Sequence, residues 1–237
     1  MSIDSFQFKE FSVRHDRCSM KVGTDGVLLG SWAGQLSTIN YQLSTVLDIG
    51  TGSGLIALML AQRFPEARIM GIDIDLASVE QARENVAASP FENRIGIRHA
   101  SLVDFCEGTY QLIVSNPPFY EEDTQSKTAQ MHRAKHTSSL TFGQLIEGVD
   151  RLLDKDGMFE VIVPYSAAER FIGEAAMRGL YLIRRCNVKG SPTRPFKRAM
   201  MTFGRTPRKT EHTLLIIRTP QNTYSEEYKR LTQAFYL

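Results

Sequence analysis

Paired cysteines are missing from this chain. Cys18, Cys106 and Cys186 are odd in number and scattered, which excludes a disulfide framework or a thiolate zinc knuckle and points to reduced thiols. A long apolar run is also lacking. The longest clear one, Leu55 to Ala61, is far too short to cross a bilayer. The opening Met1-Ser-Ile-Asp-Ser-Phe carries neither a basic leader nor an apolar signal core, so the cytoplasm is the expected location. Repeats and low-complexity tracts are absent too. What is left is an ordinary globular composition, 42% hydrophobic and 23% charged over 237 residues, enough to bury a substantial core.

Acidic residues are scarce in one region. From Arg178 to Arg218 the sole acid is Glu211, while Arg184, Arg185, Lys189, Arg194, Lys197, Arg198, Arg205, Arg208 and Lys209 accumulate. The formal net charge of +2 conceals this asymmetry. A one-sided basic stretch is how a phosphate backbone is usually met, and a plain solvated surface is the competing reading.

Short β-branched runs alternate with helical patterns, the mark of a parallel sheet wrapped by helices. The spacing predicts strands at Thr45–Ile49, Arg68–Asp73, Ile95–His99, Leu112–Ser115 and Gly157–Val163. Helices are predicted near Gly54–Arg63, Leu76–Ala88, Phe142–Leu153 and Ser166–Met177. Thr141 and Gln144 stand at capping-box spacing before the third of these. Beyond it, Tyr181–Val188, Ala199–Phe203 and Thr213–Arg218 are strand-like and are joined without helices, and Tyr224–Phe235 reads as a short terminal helix. A mostly parallel α/β sheet finished by antiparallel C-terminal strands follows. From Tyr120 to Ser139 the chain is polar and nearly free of aliphatic residues, a length of loop that is usually functional or disordered.

The first strand runs into Asp48-Ile-Gly50-Thr51-Gly52-Ser-Gly54, directly before a helix. Glycines permit a sharp turn and let backbone approach a ligand, and the helix start offers unpaired N–H groups. No Gly-Lys-Ser/Thr follows, which excludes a P-loop, and the dinucleotide fingerprint would need its third glycine one residue beyond Gly54. The second strand ends at Asp73, about 20 residues on, where an acid can accept both hydroxyls of a ribose. The alternatives are a plain tight turn at the glycines and a helix cap at Asp73 or Asp75.

After the fourth strand comes Ser115-Asn116-Pro117-Pro118-Phe119. Strands one and four flank the switch point of a doubly wound sheet, so this segment is expected beside the glycine loop. The residue types suit a planar exocyclic amine, a poor nucleophile because its lone pair is delocalised. The Asn116 side-chain carbonyl and the Pro117 backbone carbonyl can each accept one amine hydrogen. The two prolines stiffen the turn, and Phe119 offers a face for an extruded base. A Pro-Pro turn with a core phenylalanine is the bland alternative.

Together these motifs look like those of class I S-adenosylmethionine-dependent amino-methyltransferases. With Val22-Gly-Thr-Asp-Gly-Val-Leu-Leu-Gly and the ending Tyr228-Lys-Arg-Leu to Phe235-Tyr-Leu, the whole chain resembles the bacterial valine-tRNA adenine-37 N6-methyltransferases. The resemblance implies a Rossmann-like, seven-stranded sheet. It also implies S-adenosylmethionine as cofactor, held by Asp48, Gly50, Thr51, Gly52, Gly54, Asp73, Ile74, Ser101 and Asn116. Asn116, Pro117 and Phe119 are the expected catalytic set, acting on an adenine N6 amine of tRNA. Two departures stand out. Ser101 or Asp104 replaces the acid that relatives place against the cofactor adenine, and Gln111 stands where many carry Asp.

Residues 1–40 are expected to form a cap, a small hairpin and then a helix from Asp25, over the cofactor side of a domain spanning 41–237. The tRNA is expected along the basic C-terminal face, at Arg184, Arg185, Lys189, Arg194, Lys197 and Arg198, with the Tyr120–Ser139 loop closing on the flipped adenine. His132 and His136 have the spacing of a helical zinc pair but lack a partner Glu or thiolate, so no metal is expected. Trp32 and Phe11 are expected to pack in the cap, and Lys21 carries no strong expectation. A monomer or weak dimer is anticipated. The rival substrates are a protein glutamine amide and a ribosomal RNA guanine amine. Glutamine methylators tend to carry Tyr in place of Phe119 and add a recognition domain. An RNA-binding scaffold with a silent cofactor fold would show erosion of these motifs, and a nicotinamide oxidoreductase would need a second βαβ half.

Overall fold

The computed structural model describes residues 5–18, 21–35, 43–118 and 140–236. Phe119, the loop from Tyr120 to Ser139 with His132 and His136, and the cap boundary at residue 40 lie outside the described residues. An eight-stranded sheet forms the centre. In chain order its strands are β3 (Thr45–Ile49), β4 (Arg68–Asp73), β5 (Ile95–His99), β6 (Tyr110–Ser115), β7 (Leu153–Pro164), β8 (Tyr181–Lys189), β9 (Phe196–Gly204) and β10 (Glu211–Ile216). Across the sheet they run β10-β8-β9-β7-β6-β3-β4-β5. A separate hairpin pairs β1 (Ser5–Gln7) with β2 (Ser12–Arg14).

The mostly parallel sheet is as expected, with one strand more than the seven the resemblance implied. Only β9 opposes the rest. It pairs antiparallel with both β7 and β8, whereas β10 lies parallel to β8. The chain reverses twice, through β8, β9 and β10, so the outer strand regains the common direction without a crossover helix.

Strands β3, β6 and β7 are buried on both sides, the condition that makes parallel strands read as continuous apolar runs. One face carries α1 (Thr24–Trp32) and α2 (Leu55–Arg63), with α3 (Leu76–Ala87), the hairpin and α6 (Glu226–Thr232) on the same side. Every residue from Leu55 to Ala61 is buried, because α2 is enclosed between the sheet and α1 and has no wet side. Helix α1 approaches it closely at its glycines: a Cβ on Gly30 would lie 2.6 Å from the Met59 sulfur. The other face is covered by α4 (Phe142–Leu152) and α5 (Ala168–Ala176). Helix α4 begins with the anticipated reciprocal capping box between Thr141 and Gln144.

The cap shares its core with the domain. Phe8 and Phe11 belong to the same buried cluster as α2 and the terminal Tyr228 and Phe235, and Trp32 packs there as well. Lys9 donates its backbone N–H to the Phe235 carbonyl at 2.9 Å. Asn85 of α3 accepts from the Arg14 N–H and donates to the carbonyls of Arg14 and Ser53, tying the hairpin to the glycine loop.

Beneath the C-terminal end of α1 lies a buried charge pair. Glu160, fully buried in β7, accepts from Arg184 at 3.3 Å, from Thr202 at 2.8 Å and from the Gly34 N–H at 2.7 Å. Arg184 also donates to the carbonyls of Trp32 and Gln35, and its guanidinium sits 3.6 Å over the Trp32 ring. Burial pushes the Glu160 carboxyl up and the Arg184 guanidinium down, opposed in each by the attraction of the other. Glu160, Thr202 and Arg184 are cross-strand neighbours on β7, β9 and β8, so sheet register brings the pair together. Arg184→Met should lower unfolding stability by about 3–5 kcal/mol, because it strands a buried carboxylate. A loss below about 1 kcal/mol in urea titration at neutral pH would contradict this assignment.

Candidate active site

Parallel pairing sets the geometry of the carboxyl edge. Ile49 lies opposite Ile72 on one side and Ser115 on the other, so the glycine loop, Asp73 and Asn116 all emerge at one level. The Gly50 and Thr51 N–H groups both donate to the Ile72 carbonyl, at 2.9 and 3.0 Å. The Ser115 hydroxyl donates to the Ile49 carbonyl at 2.9 Å. These bonds fold the loop back over its own strand end.

Gly50 and Gly52 have φ of 70° and 55°, in the left-handed region that disfavours side chains. A Cβ at either would meet nothing within 4 Å. The loop is therefore shaped by backbone torsion and leaves open space above it, the cradle a ligand needs. Gly54, also left-handed, caps α2 without a side chain, and the Asp48 carboxylate beneath the loop takes the Ala57 N–H in the first turn of that helix.

Asp73 is the organiser of the loop. Its two carboxylate oxygens accept from the Gly52 N–H at 2.8 Å and the Asp75 N–H at 2.9 Å. The helix-cap alternative belongs to Asp75, which accepts from the Ser78 N–H and hydroxyl. Partial burial raises the Asp73 carboxyl above its usual range. Ile74 follows as an exposed apolar side chain, its carbonyl 2.9 Å from His99 Nε2. Ser101 starts the turn after β5, where its hydroxyl accepts from the Val103 N–H and its carbonyl from Phe105.

A cleft of about 490 Å³ opens at this edge. Gly50 to Ser53 form its floor, Asn116 and Pro117 one side, and Lys21 to Gly26 the wall contributed by the cap. Lys197 and Arg198 close the remaining side, with Arg198 bonded to Asp25 at 2.7 Å. Asp48, Asp73, Ile74, Gly54 and Ser101 surround this floor without lining the cleft itself.

Sequence reasoning missed Asp25 and Asn85 as contributors, and it named Lys197 as an RNA contact without placing it in the cleft. Asp25 was read only as a helix start, although an acid beside a glycine at a cap is a usable signal. Lys197 occupies the extra position where β9 slips against β8 between Val188 and Lys189, a bulge of the kind that re-aims a side chain. Asn85 is an amide buried inside a helix, a position that favours tethering over helix stability.

The expected basic face needs correction. Arg184 and Arg185 are both buried, about 7% exposed, and strand alternation sends them to opposite faces. Arg184 belongs to the Glu160 pair, and Arg185 bonds Glu169 at 2.6 Å and Asn187 at 2.8 Å. Lys189, Arg194, Lys197 and Arg198 remain at the carboxyl edge. Gln111, the other noted departure, accepts from the backbone and hydroxyl of Ser44 at the opposite end of the sheet. It has no bearing on the cleft.

Among the described residues no cluster of three or more His, Cys, Asp or Glu could hold a metal ion, and no helix is long and apolar enough to cross a membrane. The three cysteines are unpaired.

Asp48 lies fully buried under the loop, bonded to the Thr51 hydroxyl at 2.7 Å and facing the Ala57 N–H at the start of α2. Desolvation pushes its carboxyl up to about 7, against the Thr51 hydrogen bond. An aspartate in the unfolded chain ionises near pH ~4. Between these values the native state holds the extra proton, so this group removes stability as pH rises through the window and has no further effect above it. Asp48→Asn keeps an oxygen for Thr51 and cannot ionise. Its stability relative to wild type should therefore increase from about pH 4 to about pH 7 in urea unfolding, and a difference independent of pH would refute the assignment.

Comparison with known proteins agrees with this architecture. Residues 33–167 match the family model described as the methyltransferase small domain. A tRNA1(Val) (adenine(37)-N6)-methyltransferase of Flavobacterium psychrophilum is 43% identical over 235 residues, covering 98% of this chain and 99% of its own. One of the same description from Erwinia tasmaniensis is 42% identical, covering 99% and 95%. Among solved structures, a protein described as a predicted O-methyltransferase from Agrobacterium tumefaciens superposes with a TM-score of 0.66 at 17% identity, covering 89% of this chain and 96% of that one. That likeness shows the shared fold. With near-full-length relatives at this identity, the chain belongs to the tRNA1(Val) (adenine(37)-N6)-methyltransferase family.

Proposed function

We propose that this chain transfers a methyl group from S-adenosylmethionine to the N6 amine of an adenine in tRNA, at position 37 of a valine tRNA as its relatives are named. One observation carries the reading. Asn116 and Pro117 line the same cleft as Gly50 and Gly52, so an amine-holding turn meets a glycine cradle at a single site.

The residues present fit the cofactor. The open space above Gly50 and Gly52 admits backbone approach. The start of α2, where Leu55 and Ile56 line the cleft, and the cations of Lys21 and Lys197 give that end a positive field suited to a carboxylate. Asp73 keeps unused lone pairs for ribose hydroxyls, and the exposed Ile74 offers an apolar surface to an adenine. Ser101 would complete that end, and Asp48, Thr51 and Gly54 hold the loop in shape. When bound, S-adenosylmethionine supplies an electrophilic methyl group on a sulfonium.

Asn116 and Pro117 do the positioning. The amide oxygen and the Pro117 carbonyl accept the two amine hydrogens, which favours a pyramidal nitrogen with its lone pair aimed at the methyl carbon. No strong base is required, because the methylated amine is acidic and releases its proton to water. Phe119 is assigned the stacking face for the flipped base. Residues 1–40 act as the cap over the cofactor, through the wall formed by Lys21 to Gly26. The phosphates are met by Lys189, Arg194, Lys197 and Arg198, and the protein works in the cytoplasm as a monomer or weak dimer.

The test is transfer of labelled methyl to total tRNA from a strain lacking this gene, followed by nucleoside analysis. Label should appear as N6-methyladenosine, and Asn116→Ala should reduce kcat/KM by about 100-fold or more, the scale for losing a preorganised polar contact to the reacting group. Label found instead in a glutamine amide or in ribosomal guanine would overturn the substrate and leave the cleft chemistry standing.

A further inference from the structure

Beside the cleft, on the opposite face of the sheet from α1, a short stack of rings and cations is assembled from three strand ends. Tyr165, just after β7, stacks on Phe196, the first residue of β9, with ring centroids 4.8 Å apart and 28° between planes. Arg185 lies over the Tyr165 ring at 5.4 Å, and the Lys189 ammonium lies over the Phe196 ring at 4.6 Å. Phe196 and Lys189 are direct cross-strand partners, which is why they meet.

The two ends of this stack differ. Arg185 is buried and fixed by Glu169 and Asn187. Lys189 is half-buried, and among the described residues no hydrogen bond or ion pair holds its ammonium. Phe196 therefore has a ring face guarded by a displaceable cation. Around it, Arg194 and Lys197 have no acidic partner among the described residues, and the acids nearby, Glu169 and Asp25, are engaged by Arg185 and Arg198. The stack begins next to Lys197, which lines the cleft with Asn116. Only β7 separates β6 from β9, but the strands are staggered: Ser115 is level with Val161 and Met201, which leaves Phe196 about 15–20 Å from the end of β6, with Lys197 between the ring and the cleft.

An aromatic face framed by unpaired cations is how single-stranded nucleic acid is held without sequence-specific hydrogen bonds. We propose that the outer face of Phe196 is the stacking position for a nucleobase neighbouring the methylated adenine, and that Lys189 leaves the ring for a phosphate when RNA binds. Tyr165 and Arg185 back the ring from behind and keep it upright. The proposal rests on the tRNA reading above. It adds a second base contact that fixes the strand while the target base is extruded.

Binding of a fluorescein-labelled anticodon stem–loop RNA and of S-adenosylmethionine would be measured in parallel for wild type, Phe196→Leu and Phe196→Tyr. Leucine keeps most of the volume and loses the flat face, whereas tyrosine keeps both. Phe196→Leu should weaken RNA binding about tenfold or more, Phe196→Tyr should restore it, and cofactor affinity should be the same in all three. An abasic nucleotide on one side of the target adenine should cost wild type the same factor and cost Phe196→Leu nothing further. Lys189→Met should reduce the slope of log affinity against log salt by about 1.

The proposal is overturned if Phe196→Leu binds RNA as wild type does, if its defect persists in full on every abasic RNA, or if it loses cofactor affinity in step. An unchanged salt slope in Lys189→Met would overturn the part given to Lys189. Wild type that methylates tRNA while Phe196→Leu is unaffected would sink this inference alone. Wild type that binds no RNA would sink the substrate reading as well.

Discussion

The carbonyl of Ile72 accepts two successive N–H groups, those of Gly50 and Thr51, and the site is arranged around that crossing. It locks the end of β3 to the end of β4. The Ser115 hydroxyl fixes β3 to β6 at the same level. A one-residue slip in either pairing would exchange the side chains packed against the two helix layers and carry Asp73 or Asn116 off the level of the glycine loop. Asn116 and Asp73 are held where they are by the same core that holds the sheet. The left-handed torsions at Gly50 and Gly52 let the chain turn over this crossing while leaving room above it.

The cap depends on a second constraint of a different kind. Helix α1 ends over the middle of the sheet, and its last carbonyls need donors. Arg184 serves Trp32 and Gln35, and Arg63 serves Gly30 and Ala33 at 2.9 and 2.6 Å. Glu160 balances these charges from inside β7 and also takes the Gly34 N–H. Cation, anion and indole ring thus form one buried unit that seats the C-terminal end of α1. The other end of the same helix forms a wall of the cleft and is bonded to β9 through Asp25 and Arg198. The helix is gripped at both ends, so the wall it presents to the cleft is rigid.

Much of this was legible from the residues. β3, β4 and β5 fall at the boundaries their apolar runs predict, and the capping box marks the start of α4, because these signals are local. The place of Asn116 beside the glycine loop followed from topology, since strands one and four flank the switch point. What the sequence left hidden is pairing across strands. Nine cations between Arg178 and Arg218 read as one face, yet alternation sends neighbours to opposite sides, and a partner such as Glu160 lies more than twenty residues away. The Lys197 bulge is likewise invisible, as it depends on how β9 slips against β8. The direction of β10 was missed for the same reason: turn composition signals a reversal and says nothing about which edge the next strand joins.

Removing Arg184 and Arg185 from the solvent-facing set changes where recognition is to be sought. A basic face spread over β8 would contact a duplex backbone broadly and read little from it. With those two engaged inside, the remaining cations cluster at the strand ends, around the bulge of β9 and the half-buried ring of Phe196. That arrangement is narrow, and through Lys197 it reaches the rim of the cleft that Asn116 and Pro117 line. A small patch of charge gives modest affinity on its own, so it must work together with contacts that a flat face and a rigid turn supply. Extruding a base costs a few kcal/mol, and a site that secures the neighbouring nucleotide first meets that cost with less chain left to order. The protein's selectivity is therefore expected to reside along the carboxyl edge between the end of β6 and the start of β9, in the few side chains that hold the strand on both sides of the reacting amine.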